Sequence, residues 1–86
     1  MPEISRFFGI VITMYYRDHA PPHFHVSYGG RFARIAFEPL RVLDGDLPPR
    51  VLGLVMEWAS QRRLELRDDW ERASRSQPLE RIEPLE

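Results

Sequence analysis

All three histidines of this 86-residue chain fall within one segment, DHAPPHFH, at positions 19, 23 and 25. Imidazole nitrogens bind transition metals and exchange protons near neutral pH, so clustered histidines can support either kind of chemistry. His23 and His25 are two residues apart, a spacing that places both rings on one face of a β-strand. The segment is therefore the first candidate for a functional site.

One interpretation of the cluster is a metal site. His23 and His25 can ligate one divalent ion such as zinc, and His19 or Asp18 can supply a third ligand. Three protein ligands would leave a fourth position open, which is the arrangement of a catalytic metal centre. This interpretation assigns His19, His23 and His25 as the metal ligands.

A second interpretation is metal-free acid–base catalysis on a phosphodiester. His23 and His25, with His19 as a further candidate, would act as base and acid, while Arg34 or Arg17 neutralises charge that develops on the phosphate. Cleavage of RNA through its 2′-hydroxyl group needs this combination. The same surface would then be a small nuclease, with or without a metal.

A third interpretation is binding without chemistry, and a fourth is a local structural role. The histidines, together with Tyr16 and other aromatic residues, could contact RNA, DNA or a partner protein. The predicted binding residues are Tyr16, Arg17, Asp18, His19, His23, His25 and Arg34. Alternatively, the imidazoles satisfy backbone groups around Pro21 and Pro22 and fix the shape of that loop.

The elements that must position these residues are strands. Alternating or β-branched segments predict strands over residues 9–16, 23–28, 31–37 and, more briefly, 41–43, with a tight turn at Gly29 and Gly30. In the second strand Phe24 and Val26 face the core, which leaves His23 and His25 on the opposite, solvent-facing side.

Helical spacing of apolar residues follows over residues 47–74. We expect either one long helix with Asp46 as its N-cap or two helices bent near Arg62 and Arg63. Residues 75–86 are predicted to form an extended tail that docks through Leu79 and Ile82. The predicted fold is a single α+β domain, an antiparallel three- to four-stranded sheet with the helical part packed on one face.

Composition limits the class of protein. The chain has no cysteine, which excludes disulfides and thiolate metal sites, and no apolar run long enough to cross a membrane. The net charge of −1 argues against a strongly basic nucleic-acid binder. We expect a soluble, cytoplasmic protein whose small core could be supplemented by a homodimer interface or a partner protein.

Four segments together resemble a known family: PEISRFFGIVI, DHAPPHFHV, LPPRVLGLVMEWA and the ending IEPLE. They are similar to small prokaryotic proteins catalogued only as a domain of unknown function, and His19, His23 and His25 match that family's signature. The resemblance implies a place in a two-gene module of the toxin–antitoxin kind, with a small partner protein encoded by the neighbouring gene. It carries no assigned activity or cofactor. The expected function is therefore a module component that acts through its His/Arg surface, with a nuclease or a non-catalytic regulatory or structural subunit as alternatives.

Overall fold

The structure is a computed structural model that describes residues 2–86. It contains a five-stranded antiparallel sheet in which each strand pairs with its neighbours in chain order. Two helices follow the sheet, so the α+β class is confirmed. The elements are β1 (Glu3–Phe7), β2 (Ile10–Thr13), β3 (His23–Tyr28), β4 (Arg31–Phe37), β5 (Leu40–Gly45), α1 (Pro49–Gln61) and α2 (Arg63–Ser74).

The sheet has more strands than the sequence predicted. The predicted first strand, residues 9–16, is shorter and becomes β2, while β1 precedes it and was not predicted. A two-residue turn joins them, since Phe7 pairs with Ile10, and both Phe8 and Gly9 have positive φ angles. Hairpin turns with two positive φ angles normally use Asn, Asp or Gly. Because Phe8 occupies the first of these positions, the sequence pattern does not predict this turn.

The helical region divides in two at Arg62, near the predicted bend. The predicted N-cap at Asp46 is wrong. Pro48 is the residue that precedes α1, and the backbone N–H of Asp46 donates instead to the carbonyl oxygen of Phe32. Asp46 therefore follows β5 directly and is bonded to β4. The helix starts with Pro49, whose missing N–H costs nothing in a first turn.

The core lies between one face of the sheet and α1. Trp58 is completely buried there, with its ring 5.7 Å from that of Phe24 and 5.5 Å from that of Phe7. Its indole thus packs between the sheet and α1. The large buried side chains of the core include Ile4, Phe7, Ile10, Ile12, Met14, Phe24, Val26, Ile35, Phe37, Val55, Trp58 and Leu66.

The tail is extended and docks as predicted. Ile82 and Leu85 are buried in the core cluster, and Leu79 packs against it. The N–H of Ile82 donates to the carbonyl oxygen of Ile4 at 2.7 Å, which brings the tail alongside β1. Neither helix within residues 2–86 has the length and apolar character needed to span a bilayer.

Candidate metal centre

Three of the side chains from the histidine segment converge on one point. His23 and His25 project from β3, and Asp18 comes from the loop that leads into that strand. Oδ2 of Asp18 lies 3.0 Å from Nε2 of His23 and 3.1 Å from Nε2 of His25. One atom from each residue, all mutually within 4.8 Å, could ligate a single ion.

The loop before β3 orients the imidazole of His23 through a hydrogen bond. Its Nδ1 lies 2.7 Å from the carbonyl oxygen of Pro21, and because a carbonyl can only accept, Nδ1 carries the proton. In a neutral ring this leaves a lone pair on Nε2, which faces Asp18 but has no hydrogen-bond partner. A ligating histidine is usually oriented by such a backbone acceptor on its other nitrogen.

The environment of His23 differs from the prediction. The strand pattern placed it on a solvent-facing side of the sheet, yet only 2% of it is exposed. Trp70 of α2 covers the His23 ring, with 5.4 Å between the ring centroids. The predicted fold, with the helical part packed on the face opposite His23, did not include this contact. The imidazole that was expected in solvent is therefore a buried polar group.

His25 and Asp18 form the accessible side of the centre. A quarter of the His25 side chain and a fifth of the Asp18 side chain are exposed. Nε2 of His25 donates to Oδ2 of Asp18, and the ring of Tyr15 packs edge-on against the His25 ring, with centroids 4.2 Å apart. The centre is thus closed on the His23 side and open on the His25 side.

Asp18 is ionised at neutral pH. Partial burial on its own would raise the pKa of this carboxyl. The hydrogen bond from His25, the bond from the backbone N–H of His19 and the nearby imidazoles outweigh that effect, so the pKa is lowered. A charged carboxylate oxygen between two imidazole nitrogens is a strong ligand set for a divalent cation.

The remaining predicted site residues lie around this centre. His19 is exposed and contributes its backbone N–H to Asp18, so Asp18 takes the place beside the two imidazoles that was predicted for His19. Arg17 turns away, because its Nε donates to Ser76 and its backbone N–H to Ala73 at the end of α2. Tyr16 is exposed at 44%.

Arg34 lies beside His25 across the β3–β4 ladder and is already paired. Its Nε and Nη2 both donate to the carboxylate of Asp44 on β5, with contacts between 2.6 and 3.1 Å. The sequence analysis missed this pairing because the predicted strand, residues 41–43, ends before Asp44, whereas β5 includes it. The opposite charges of Arg34 and Asp44 were the feature of the sequence that could have indicated this pair.

Comparison with known proteins identifies the family. The profile of a family described as a domain of unknown function, DUF4160, matches residues 9–71. The chain belongs to the DUF4160 family. The predicted membership of a family of unknown function is therefore confirmed. No curated protein and no solved structure matches the chain.

The DUF4160 match contains the whole candidate centre. It spans β2 to most of α2, and so includes Asp18, His23, His25 and Trp70. β1 and the docked tail lie outside the matched residues. The two segments beyond the DUF4160 match nevertheless contact each other, through the hydrogen bond between Ile82 and Ile4.

Proposed function

We propose that this chain binds one divalent metal ion through Asp18, His23 and His25. The observation that carries the proposal is the convergence of Nε2 of both histidines on Oδ2 of Asp18. Ligand atoms at about 2.0–2.1 Å from a tetrahedral zinc ion lie roughly 3.3 Å from each other, close to the spacing of these contacts. Zinc is one of the ions that two imidazoles and a carboxylate suit, and it is the ion that we propose.

The protonation pattern supports the same assignment. His23 has an unpartnered, buried Nε2 that faces the carboxylate, an arrangement that is costly unless a positive charge lies between them. A bound cation would accept the lone pair of His23 and would replace the proton of His25 that now bonds Asp18. His25 would then carry its proton on Nδ1.

The open side of the centre supports hydrolysis as the activity. Asp18, His23 and His25 would hold a zinc ion with a position left for water, whose pKa such an ion would lower to about 7. We propose that the substrate is a phosphodiester, so that the water oxygen bonds to phosphorus, the ester P–O bond breaks, and the water proton leaves with the departing oxygen. The chain would thus be a small metal-dependent nuclease.

The metal-free alternative has weaker support. His23 would have to exchange protons with solvent during each turnover, but its ring is covered by Trp70 and its Nδ1 is occupied by the carbonyl of Pro21. A buried imidazole whose Nδ1 is bonded to a backbone carbonyl suits a ligand better than a general acid or base.

Zinc titration of the purified chain by isothermal calorimetry tests the proposal. We expect one zinc ion per wild-type chain and a loss of affinity of at least about 10-fold in Asp18→Asn and His25→Ala. His19→Ala is the matched control, because it removes a neighbouring but exposed imidazole, and its affinity should equal that of the wild type. Absence of zinc binding by the wild type, or equal losses in His19→Ala and His25→Ala, would overturn the assigned ligand set.

We also propose a role in a two-gene module with a small partner protein. The support for this role is the resemblance of four sequence segments to proteins encoded in such modules. Induction of the chain in a bacterial host without the neighbouring gene tests both proposals. Growth arrest with RNA fragmentation from the wild type, but not from His25→Ala, would indicate a nuclease toxin, whereas no effect from either chain would favour the neutralising or partner-binding role.

A further inference from the structure

A groove adjoins the open side of the metal centre on the sheet face that α1 does not cover. It has a volume of about 260 Å³, and His25, one of the three proposed ligands, lies in its wall. We call it the sheet groove. The lining side chains that the following steps use are Thr13, Tyr15, His25, Phe32, Arg34 and Asp44.

Strand register places these residues in two rows across the sheet. Thr13, His25, Arg34 and Asp44 follow one another across β2 to β5, and Ser27 and Phe32 form the neighbouring row. Side chains directly opposite each other in such a ladder have Cβ atoms about 4.5–5.5 Å apart. Arg34 is therefore the nearest cationic neighbour of His25 on this face.

Arg34 is positioned to bind an oxyanion. Asp44 holds the guanidinium side-on, through Nε and Nη2, which fixes its plane and leaves the N–H groups of Nη1 without a bond to Asp44. Nearly half of the Arg34 side chain, 45%, is exposed. A guanidinium oriented in this way can donate from its free edge to a phosphate oxygen.

Phe32 offers a flat apolar surface two residues away on the same strand. Its side chain is 67% exposed, although most large aromatic rings in a folded domain are largely buried. Two residues along a strand span about 7 Å, which one nucleotide can bridge from its phosphate to its base. Exposed aromatic rings beside a cationic group are a recurrent platform for stacking unpaired bases.

We propose that the sheet groove binds a single nucleotide unit, with its phosphate between the metal ion and Arg34 and its base stacked on Phe32. This assignment rests on the proposed metal centre and names its substrate class. The local charges favour a single phosphate group over the backbone of a long nucleic acid. The charges of Arg34 and Asp44 cancel, and a divalent ion bound to the Asp18 carboxylate would leave a net charge of +1. The groove is also smaller than the roughly 300–1,000 Å³ of most ligand pockets, which suits one nucleotide better than a duplex.

Calorimetric titration of the zinc-loaded chain with adenosine 5′-monophosphate tests this inference, after zinc binding has been measured separately. We expect Arg34→Ala to weaken nucleotide binding by at least about 10-fold and Phe32→Ala by at least about 5-fold, with unchanged zinc affinity. The control is Arg31→Ala, which removes an exposed arginine from the other face of the same strand and should change binding less than 2-fold.

The outcomes separate the two proposals. If zinc binds but adenosine 5′-monophosphate does not, or if Arg34→Ala binds it as tightly as Arg31→Ala, the nucleotide assignment is overturned while the metal centre stands. If zinc itself does not bind, the proposed function fails first. A parallel titration with single-stranded oligoadenylate distinguishes a free nucleotide from the terminal unit of a strand, and affinity at least equal to that of the mononucleotide would identify the strand as the source.

Discussion

The indole nitrogen of Trp58 donates a hydrogen bond of 2.8 Å to the backbone carbonyl of Glu83, which lies 25 residues further along the chain. The bond ties the last residues of the tail to the centre of α1. Ile82, the neighbour of Glu83, inserts its side chain into the core and is only 4% exposed. The tail is therefore part of the folded domain and not an appendage to it.

Removal of the Ile82 side chain should destabilise the whole domain. Truncation of a buried isoleucine leaves a cavity and typically costs about 2–5 kcal/mol, so we expect a loss of that size for Ile82→Ala in urea denaturation. Glu83→Ala is the control, because Trp58 bonds the backbone of Glu83 while its side chain is exposed. Its free energy of unfolding should stay within about 0.5 kcal/mol of the wild type. Equal stabilities of the two variants would contradict a docked tail.

Two glycines should respond in opposite directions to alanine. Gly45 in β5 has a φ of +113°, and a Cβ atom there would lie 2.3 Å from the Cα atom of Ala33. We expect Gly45→Ala to lower the free energy of unfolding by at least about 2 kcal/mol. Gly53 lies inside α1 with open space around it, so Gly53→Ala should raise stability by up to about 1 kcal/mol. Thermal unfolding of the two variants checks both signs, and a tolerated Gly45→Ala would be inconsistent with this β4–β5 contact.

Asp69 should make stability depend on pH. Burial raises the pKa of this carboxyl, although hydrogen bonds from the Glu80 backbone N–H and from Arg72 oppose the shift. The folded state therefore binds the proton more tightly than the unfolded state, and this contribution to stability is present below the unfolded pKa of about 3.9 and lost as pH rises through the folded value.

Asp69→Asn separates that effect from other carboxylates. The amide oxygen can still accept from Glu80, and no charge is buried, so the variant should gain stability relative to the wild type as pH rises from 4 to 7. Denaturation curves at both pH values provide the measurement. Parallel pH profiles for the two proteins would rule out Asp69 as the source, and Asp69→Ala, which loses the acceptor for Glu80, should be less stable than Asp69→Asn by about 1–2 kcal/mol.

Trp70 should report metal binding through its fluorescence. Its ring lies against His23, whereas Trp58 is buried in the core against Phe24 and Phe7. A paramagnetic Co²⁺ ion on the proposed ligands should quench the emission of Trp58→Phe, in which Trp70 is the remaining indole. The same ion should quench Trp70→Phe much less. Equal quenching of both variants would place the ion elsewhere.

The β3–β4 hairpin was predictable because its information is local. Alternation in HFHVSY and RFARIAF and the Gly29–Gly30 turn specify two strands and their register, and Tyr28 pairs with Arg31 as that turn requires. The division of the helical region near Arg62 was likewise visible, as a polar gap in the apolar spacing. These features depend on residues that are neighbours in sequence.

The site was less predictable because it depends on contacts between distant segments. Strand alternation places His23 correctly on the face opposite Phe24, but it contains no information that Trp70, 47 positions later, covers that face. The choice between Asp18 and His19 depends on the path of the loop before Pro21. The Arg34–Asp44 pair depends on a register shift in the β4–β5 ladder, which single-strand patterns do not encode.

The docked tail also restricts how copies of the chain could assemble. A flat sheet with two open edges can add strands at both sides and grow into a fibre. Here the tail bonds β1 at Ile4, while β5 within residues 2–86 pairs only with β4. The tail thus covers part of the β1 edge and leaves β5 as the edge that is more open to strand addition between copies.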